Sequence, residues 1–534
     1  MTGEVVDAVI VGAGPSGAVA AKRFSQAGMS VVVLEQGTWP DYSKARAGEP
    51  DYEITADRDW SWDPNSRRAA ADYPIDDRDS DITALMYNGV GGSSVVYAGH
   101  WERFLPSDFR VRTLDGVADD WPFDYHALAP YYDVVENDFG VSGLEGDPCY
   151  PDGNSPPMPP VPLNRIGRRA AEAANRLGWH WWPGSNAIAT VEHGPLHACA
   201  QRTACIHGCP TGAKGSTDRT HWPELLRSGV RLETEARVKR VLTDQSGRAA
   251  GVIWIDRTGT ERIQHADATV LCANGIGTPR LLLMSADDKN PDGLANSSGL
   301  VGRRLMMHPF IRTVGLFEED LESWRGVYGQ HAHVMEFYET DPSRGFVRGA
   351  KWGLMPTASP LSVMMPGLWD DEDVWGSKFH QTLRARFARS AWLGIVCEDL
   401  PEESNRVVLS RTATDSSGLP AARIEYRTSE NSQRMIAFQT EKSIEFMKEM
   451  GAYEVVSAPT SYSGWHLLGT TRMGDDPRTS VLNSDCESHD VPGLFVFDGS
   501  SFPTSSGVNP TATIAANALR AADAYVGRFV KEAR

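Results

Sequence analysis

The chain has little of what disulfide-rich, nucleic-acid-binding or membrane-anchored proteins require. Seven of its 534 residues are cysteine, an odd and modest number, which excludes a dense disulfide framework and favours a reducing compartment. Basic residues are outnumbered, with 52 Lys and Arg against 70 Asp and Glu. The resulting net charge of -18 repels nucleic acid phosphates and argues against a polybasic membrane anchor. We therefore expect small, neutral partners.

Long apolar runs, internal repeats and a basic start are also missing. No window approaches the roughly 18 to 20 unbroken apolar residues of a membrane span. The longest candidate, AVIVGAGPSGAVAA, is interrupted by Gly and Pro and follows the acidic residues Glu4 and Asp7. We expect no secretory signal and a cytoplasmic protein. The length favours two domains or one large elaborated domain.

The first motif combines a strand, three glycines, a helix and an acidic residue. Residues 5–11, VVDAVIV, have the composition of a strand buried on both faces, and Gly12, Gly14 and Gly17 follow as G-x-G-x-x-G. Gly12 permits a tight turn, Gly14 lets the backbone approach a pyrophosphate, and Gly17 lets helix and strand pack closely. Glu35 ends the next predicted strand, near the spacing at which an acid meets an adenosine ribose. The motif predicts a dinucleotide site, with NAD and FAD still open.

Three further segments join small residues to strands or helices. They are NGVGGSSVVYAGHWERF (88–104), ATVLCANGIGTPRLLLMS (268–285) and GLFVFDGSSFPTSSGVNPTATIAANALRAADAYV (493–526). Small side chains in series predict that something large passes close to the backbone. The strand-to-helix junctions in the second and third segments are typical of ligand sites.

Six motifs together resemble one enzyme family. VGAGPSG, GGSS, GIGTPRLLLMS, GLVGRRLMMHP, HLLGTTRMG and FDGSSFPTSSGVNPTAT are similar to motifs of the glucose-methanol-choline (GMC) oxidoreductases, which bind FAD. They occur in family order from Asp7 to Val526. The likeness is greatest to the branch with pyranose oxidases, sugar dehydrogenases and bacterial glycoside 3-oxidases. Many other branches carry a second His where Asn509 stands.

This resemblance implies an α/β fold with two domains. An FAD-binding Rossmann-like domain of discontinuous segments is joined to a substrate domain with an antiparallel sheet. The FAD-binding domain is expected at 1–50, 80–115, 200–310 and 485–534, and the substrate domain at 115–200 and 310–485. Residues 51–80, rich in Asp and Arg without an apolar period, are expected to form an excursion over the surface.

His466 and Asn509 are the predicted catalytic pair. His466 stands between Trp465 and Leu467 in SGWHLLGTTRMG, and an apolar setting keeps imidazole neutral and basic near pH 7. The resemblance implies that the pair meets above the isoalloxazine of FAD. Oxidation of CH–OH sends a hydride to flavin N5 and releases a proton, so we expect His466 to take the proton and Asn509 to orient the hydroxyl. The alternatives are a hydrogen-bonded core histidine and an Asn-Pro turn.

The resemblance assigns further cofactor contacts to Gly92, Ser93, Val238, Asp498, Gly499, Pro510 and Thr511. Gly92 and Ser93 are expected to approach the flavin, and Val238 is expected to meet adenine through its backbone. Asp498 and Gly499 are expected to follow the ribityl and phosphate groups. Pro510 and Thr511 are expected to lie near the flavin pyrimidine edge. In pyranose oxidases a histidine soon after the glycine pair carries covalent FAD. Here Val96 and Tyr97 occupy that neighbourhood and His100 comes too late, so we expect noncovalent FAD.

A cysteine cluster and one further histidine are open to other interpretations. Cys199, Cys205 and Cys209 are spaced as C-x5-C-x3-C, and related membrane-linked sugar dehydrogenases carry a three-iron cluster in this region. Zinc sites prefer other spacings and a fourth ligand. We therefore expect no metal, and instead a loop over the FAD with Lys214 near a phosphate. His308, in RLMMHP, is expected to be structural.

An acidic loop at 365–380 contains Trp369 and Trp375. These side chains are candidates for stacking on a sugar ring or an aromatic aglycone. The alternative is a partly exposed loop or a subunit contact.

These observations predict an FAD-dependent oxidase or dehydrogenase. The expected reaction converts a secondary hydroxyl of a pyranose or glycoside, preferably at carbon 3, to a ketone. The expected partners are that sugar and oxygen or a quinone-like electron acceptor, with no nucleic acid and no membrane. The alternatives are a sterol or other bulky-alcohol oxidase of the same family and a flavoprotein subunit of a multi-subunit sugar dehydrogenase. The oligomeric state stays open.

Overall fold

The computed structural model describes residues 4–44, 53, 60–151, 153, 155–357, 359–364 and 375–532. In chain order its strands are β1 Val5–Val11, β2 Val31–Leu34, β3 Ile75–Ser80, β4 Trp182–Pro183, β5 Arg231–Glu233, β6 Arg237–Thr243, β7 Ala249–Ile255, β8 Glu261–Leu271, β9 Phe310–Leu316, β10 Ala332–Val334, β11 Ala350–Pro356, β12 Ser390–Cys397, β13 Arg406–Thr414, β14 Pro420–Tyr426, β15 Glu454–Thr460 and β16 Leu494–Val496.

The α-helices in the same part of the chain are α1 Pro15–Gln26, α2 Pro64–Arg67, α3 Val111–Asp115, α4 Tyr125–Phe139, α5 Arg165–Leu177, α6 Thr217–Thr220, α7 Trp222–Arg227, α8 Asn274–Met284, α9 Pro360–Val363, α10 Phe379–Arg386, α11 Glu430–Glu449 and α12 Thr511–Glu532. No helix in these described ranges combines the length and the apolar character needed to cross a membrane.

The first sheet is mixed and carries the glycine-rich turn. Its strand order is β5-β2-β1-β8-β7-β6, with β16 paired to β8. β1 pairs in parallel with β2 and β8, whereas β7 pairs antiparallel with β6 and β8. The apolar residues of β1 are almost all buried because helices cover the sheet. The carboxyl ends of β1 and β2 therefore meet at one edge, where ligands bind in sheets of this type.

Helices α1, α4 and α12 form a layer on this sheet, with α1 against α12 and α12 against α4. α1 begins at Pro15, which suits a first helical turn because its missing N–H would be unpaired there. Its buried alanines, Ala18, Ala20 and Ala21, let the helices approach closely. The N-terminus of α1 therefore stays at the sheet edge beside the glycines.

The second sheet is antiparallel, in the order β15-β9-β12-β11-β10-β4. Helix α11 covers one face through contacts with β9, β12 and β15. Ser429 caps this helix by accepting a hydrogen bond from the backbone N–H of Ser432. The helix buries its own side chains Met435, Phe446 and Met447 in the core cluster that it shares with the sheet. The opposite face is left for the cavity described below.

A small third sheet, in the order β13-β14-β3, corrects one expectation. The predicted surface excursion at 51–80 is wrong for residues 60–80, where the side chain of Trp60 is buried and β3 pairs in parallel with β14. The charged residues pair within the segment, as Arg67 does with Asp72, so the aromatic side chains are free to pack inward. The earlier part of the segment lies largely outside the described residues.

The predicted α/β class is confirmed. The strands of the mixed sheet come from the ranges predicted to bind FAD, and those of the antiparallel sheet come from the ranges predicted to bind substrate. The domain boundaries themselves stay a prediction.

Candidate active site

A cavity of about 830 Å³ is lined by residues of both large sheets. This volume is near the upper end of ligand pockets, which measure about 300 to 1,000 Å³. Of the predicted site residues, all of them described, Gly17 alone does not line the cavity. The residues that do line it are Gly12, Gly14, Glu35, Gly92, Ser93, Val238, His466, Asp498, Gly499, Asn509, Pro510 and Thr511.

The glycines of the first motif stand where a side chain has no room. Gly12 has φ +108°, and a Cβ added there would lie 2.4 Å from the carbonyl oxygen of Cys272. A Cβ at Gly17 would lie 2.0 Å from the carbonyl oxygen of Gly12, and one at Gly92 would lie 2.8 Å from Cα of Gly14. Two glycine-rich turns therefore touch, and their backbones form the cradle in front of α1. Such a helix N-terminus suits a pyrophosphate.

Glu35 lies at the end of β2, on the cavity wall. Its two carboxylate oxygens accept hydrogen bonds from the backbone N–H groups of Ala13 and Gly37, at 2.9 and 2.8 Å. Burial is the largest effect on its pKa and raises it. Each oxygen keeps a lone pair for a ribose hydroxyl, and Val238 lines the wall of the same cavity. These residues fit the adenosine part of FAD.

Asp498 ties the end of β16 to the start of α8. One carboxylate oxygen accepts from the backbone N–H of Ser500, and the other accepts from the backbone N–H of Asn274 and the hydroxyl of Thr278. Burial raises its pKa, against the effect of these hydrogen bonds. Because its oxygens are already engaged, Asp498 shapes the cofactor wall, and Gly499 beside it exposes backbone.

His466 lies between Asn509 and His308. Nδ2 of Asn509 donates to Nε2 of His466 at 3.2 Å, and Nδ1 of His308 lies 2.8 Å from Nδ1 of His466. On its other side, Nε2 of His308 lies 3.2 Å from the carbonyl oxygen of Ser505. Burial lowers the pKa of His308 to about 4. Burial, and next the neighbouring His308, hold the pKa of His466 well below its ordinary value. Both rings are therefore neutral at pH 7.

These contacts fix the tautomer of each ring. The carbonyl oxygen of Ser505 only accepts, so Nε2 of His308 carries the proton and Nδ1 of His308 has the lone pair. Nδ1 of His308 then accepts from Nδ1–H of His466, which leaves the lone pair of His466 on Nε2. The sequence predicted a structural role for His308. The structure places His308 in contact with Nδ1 of His466, so that the unprotonated Nε2 of His466 faces Asn509.

A second polar group approaches Asn509 from the other side. The ammonium of Lys351 lies 3.1 Å from Nδ1 of His100 and pairs with Glu102 at 2.9 Å. An ammonium only donates, so Nε2 of His100 carries the ring proton. Burial, and next Lys351, lower the pKa of His100 to about 3, against smaller opposing effects of the Glu102 carboxylate and of a side-chain hydrogen bond with Asn509.

Two atoms at this position make no hydrogen bond of good geometry with the described part of the chain, although the two side chains approach each other. They are Nε2 of His100 and Oδ1 of Asn509, and both are buried. Buried donors and acceptors are rarely left unpaired. A ligand with both a hydroxyl donor and a hydroxyl acceptor would satisfy them. Sequence patterns did not predict that His100 lies in the site, because the fold alone brings Lys351 and Asn509 next to it.

The wall formed by the antiparallel sheet is aromatic. The ring centroids of Phe310 and Trp465 are 5.3 Å apart, and those of Phe310 and Trp392 are 6.4 Å apart. Of the tryptophans that the sequence suggested for stacking, Trp375 is 76 % exposed and does not line the cavity. Trp369 lies outside the described residues.

Lys214 lies away from the position predicted for it. Its ammonium donates to the backbone carbonyls of Val95, Tyr97 and Cys205, and burial lowers its pKa to about 8. The expectation that it meets a phosphate is wrong, because carbonyl oxygens of the surrounding loops occupy its donors.

The cysteines are free thiols, each at a described position. Cys199 accepts a hydrogen bond from the backbone N–H of Gln201, and Cys205 accepts one from that of Tyr328, both at 3.4 Å. Their sulfur atoms therefore have protein partners. The region of the cysteine cluster lies beside the cavity, where the neighbouring residues 206 and 207 line the wall.

A different group has the spacing of metal ligands. Ligand atoms of Asp147, Cys149 and His180 lie within 4.8 Å of one another, the one such group of three in the described ranges. Nε2 of His180 lies 2.9 Å from Asp147, while Nδ1 of His180 accepts from the backbone N–H of Met335 at 3.1 Å. Nε2 of His180 is therefore protonated and donates to Asp147. Protein hydrogen bonds account for this group.

Comparison with known proteins places the chain in a family. Models described as GMC oxidoreductase match residues 6–310 and 401–518. A 2-methyl-1,2-propanediol dehydrogenase of Mycolicibacterium austroafricanum is 40 % identical over 98 % of this chain and 95 % of its own. A fructose dehydrogenase large subunit of Gluconobacter japonicus is 31 % identical over 97 % of both chains.

A solved structure agrees at the level of the fold. The pyridoxine 4-oxidase from Mesorbium loti superposes with a TM-score of 0.65 and 17 % identity, over 97 % of this chain and 99 % of the other. The family models and the two relatives confirm the resemblance inferred from the motifs. The chain belongs to the GMC oxidoreductases, and it is an FAD-dependent oxidoreductase acting on CH–OH donors.

Proposed function

We propose that the enzyme oxidises a secondary hydroxyl of a pyranose sugar or glycoside, preferably at carbon 3, to a ketone. The observation that carries this proposal is the set of polar atoms at one place in the cavity: the basic Nε2 of His466, the unpartnered Oδ1 of Asn509 and the unpartnered Nε2–H of His100. Neighbouring hydroxyls of a sugar both donate and accept. A vicinal pair therefore satisfies all three atoms at once.

The proposed mechanism uses His466 and Asn509 in different roles. As the substrate binds, Nδ2 of Asn509 turns from Nε2 of His466 to the oxygen of the reacting hydroxyl and orients it, and Nε2 of His466 then accepts the hydroxyl proton. When bound, FAD supplies the hydride acceptor at flavin N5. The Nδ1–H of His466 donates to His308, and this hydrogen bond strengthens when His466 becomes cationic. The O–H proton thus ends on His466.

Several features support a ring-shaped substrate in a cytoplasmic enzyme. The aromatic wall of Phe310, Trp392 and Trp465 offers flat apolar surfaces to a sugar face or an aglycone. The preference for carbon 3 rests on the likeness of HLLGTTRMG and NPT to the glycoside 3-oxidase branch. The free cysteines suit a reducing compartment. The proposed electron acceptor is oxygen or a quinone-like compound.

A second candidate is a small branched diol. The relative at 40 % identity is named as a 2-methyl-1,2-propanediol dehydrogenase, and a 1,2-diol offers the same neighbouring hydroxyls to His466, Asn509 and His100. The relative named as a large subunit supports a further alternative for the acceptor, namely a partner protein that takes the electrons. A bulky alcohol such as a sterol lacks the second hydroxyl that the unpartnered atoms require.

Anaerobic bleaching of the flavin visible absorption band tests the proposal. The holoenzyme is mixed with methyl β-glucopyranoside, with 2-methyl-1,2-propanediol and with a sterol, and the position of the new carbonyl is found by NMR. The proposal expects the glucoside to bleach the flavin and to yield a 3-keto product. Bleaching by the diol alone would select the second candidate. Absence of bleaching with a full panel of sugars would overturn the sugar assignment.

A further inference from the structure

Arg312 is a cation on the cavity face of strand β9. Side chains alternate along a strand, so Arg312 shares its face with Phe310, while Ile311 and Thr313 are fully buried on the other face. Gly394 stands directly opposite Arg312 on β12. A Cβ at Gly394 would lie 2.8 Å from the ring of Phe310 and 3.2 Å from the ring of Trp392, so these two rings cover that position. The guanidinium of Arg312 lies over the ring of Trp392, with Cζ 5.0 Å from the ring centroid. All of these residues except Ile311 and Thr313 line the cavity.

The guanidinium of Arg312 makes no ion pair or hydrogen bond with any residue that the structure describes, and its buried Nε has no acceptor. Burial lowers its pKa, and the nearby phenol of Tyr328 opposes this. An arginine pKa starts above about 12, so the side chain stays charged at neutral pH. A desolvated cation without a counter-charge is unfavourable unless a ligand supplies one.

Several fully buried arginines in the described ranges have counter-charges. Arg348 pairs with Asp108 and Glu398, and Arg103 pairs with Glu136. The protein therefore normally matches a buried guanidinium with a carboxylate. Arg312 departs from this rule, and it does so inside the ligand cavity.

No carboxylate among the described residues pairs with Arg312. The carboxylates among the described lining residues are Glu35, Glu53 and Asp498, and the charged group that acts on the pKa of Arg312 is the phenol of Tyr328. Glu35 and Asp498 accept hydrogen bonds at the cofactor end. Around Arg312 the wall is aromatic, with Tyr328 and Trp392 at a ring separation of 6.2 Å. Aromatic walls keep water away and strengthen an ion pair.

We propose that the substrate carries an anionic group, a carboxylate or a phosphate, which Arg312 binds while a hydroxyl of the same molecule meets His466. The planar guanidinium presents paired N–H donors that match both anions. This inference rests on the proposed function for the identity of the reacting hydroxyl. Binding of the anion does not depend on turnover.

Isothermal titration calorimetry on the holoenzyme measures the binding step directly. The His466→Gln background suppresses turnover, and the probes are methyl β-glucopyranosiduronate, glucose 6-phosphate, methyl β-glucopyranoside, acetate and inorganic phosphate. We expect one of the two charged sugars to bind at least about tenfold more tightly than the neutral glucoside. The Arg312→Met change should weaken that binding about 10- to 100-fold, the usual range for hydrogen bonds to a charged group, and leave the neutral glucoside unaffected.

Two further variants separate charge from structure. Arg312→Lys keeps the positive charge but lacks the paired N–H donors of the planar guanidinium, so it should retain part of the preference for the charged sugar. Arg478→Met removes an arginine whose side chain is 86 % exposed and which pairs with Asp476 at the surface, and it should change nothing. Melting temperatures of the Arg312 variants without ligand should not fall below that of the parent, because no carboxylate loses a partner and Arg312→Met removes an uncompensated cation.

The outcomes distinguish this inference from the proposed function. If no sugar bleaches the flavin but an anionic probe binds in an Arg312-dependent manner, the proposed function fails and the anion site stands. If the glucoside is oxidised but every anionic probe, acetate and phosphate included, binds equally to the parent and Arg312→Met, the anion site is wrong. A carboxylate preference over phosphate, or the reverse, identifies the kind of anion.

Discussion

At the residue scale, the two ring nitrogens of His466 have different partners, and the proposed mechanism depends on this difference. Nδ1 faces His308 and Nε2 faces Asn509. We predict that His466→Gln lowers kcat about 10²- to 10⁴-fold, the usual contribution of a positioned base, with FAD still bound. Stopped-flow bleaching of the flavin measures the effect. His197→Gln, at an imidazole that is 72 % exposed, is the control, and a loss of less than threefold in His466→Gln would remove the base assignment.

His308 is predicted to act by orienting His466. His308→Asn keeps a carbonyl that can accept from Nδ1–H of His466, whereas His308→Leu removes the acceptor. We therefore expect kcat to fall about 10- to 100-fold in the Leu variant, as for a lost hydrogen bond to a charged group, and to recover largely in the Asn variant. His308 has φ +45°, which Asn tolerates better than Leu. Melting temperature and flavin content are measured to separate folding from orientation, and equal rates in both variants would contradict the role.

The pH dependence follows from the direction of the pKa shift. A base works in its unprotonated form, and burial holds the pKa of His466 below its ordinary value of about 6.5. The fraction of active enzyme should therefore stay constant from pH 8 down to about 6.5 and fall only at lower pH. The kcat/KM profile of the parent enzyme on its best substrate tests this. A decline centred at or above pH 6.5 would show that a different group limits the rate.

At the element scale, the β1-α1-β2 unit was predictable because its signals are local. A buried strand, three glycines and an acid lie within 31 residues, from Val5 to Glu35. The antiparallel sheet was not predictable strand by strand, since β15 pairs with β9 and β4 with β10 across long stretches of chain. The Asp- and Arg-rich composition of residues 60–80 led to the prediction of a surface excursion. That prediction failed because these charged residues pair with one another, as Arg67 does with Asp72, while the aromatic residue Trp60 of the same segment is buried.

The contact between the two glycine-rich turns gives a prediction for cofactor binding. In Gly92→Ala the new Cβ would meet Cα of Gly14 at 2.8 Å, at a residue with φ +52°. The turns must then separate, at a cost of about 1 to 3 kcal/mol, so we expect the Kd for FAD to rise about tenfold or more. Gly116→Ala is the control, because Gly116 also has positive φ, at +75°, but a Cβ there meets open space among the described residues. Equal flavin content in both purified variants would contradict the prediction.

At the scale of the whole molecule, motif similarity located most of the cavity wall but not its polar interior. His466 and Asn509 stand in motifs that the family shares, so their approach was predictable. His100, Lys351 and Arg312 stand in separate strands and loops. Their contacts, such as Lys351 with His100 and Arg312 with Trp392, are formed only in the folded chain and could not be predicted from sequence patterns. One weak sequence signal existed for Arg312: a charged residue on the cavity face of β9, in alternation with Phe310.

The cavity is lined from both large sheets, so the cofactor should contribute to the stability of the whole chain. A ligand that binds only the folded state stabilises it by about 2.7 kcal/mol at a concentration of 100 times its Kd. We predict that removing FAD lowers the melting temperature by several degrees and that added FAD restores it. We also predict that acid precipitation releases the flavin into the supernatant, because we expect FAD to be bound noncovalently. Flavin that stays with the precipitated protein would point to a covalent bond at a lining residue such as Tyr97 or His100, and peptide mapping would identify it.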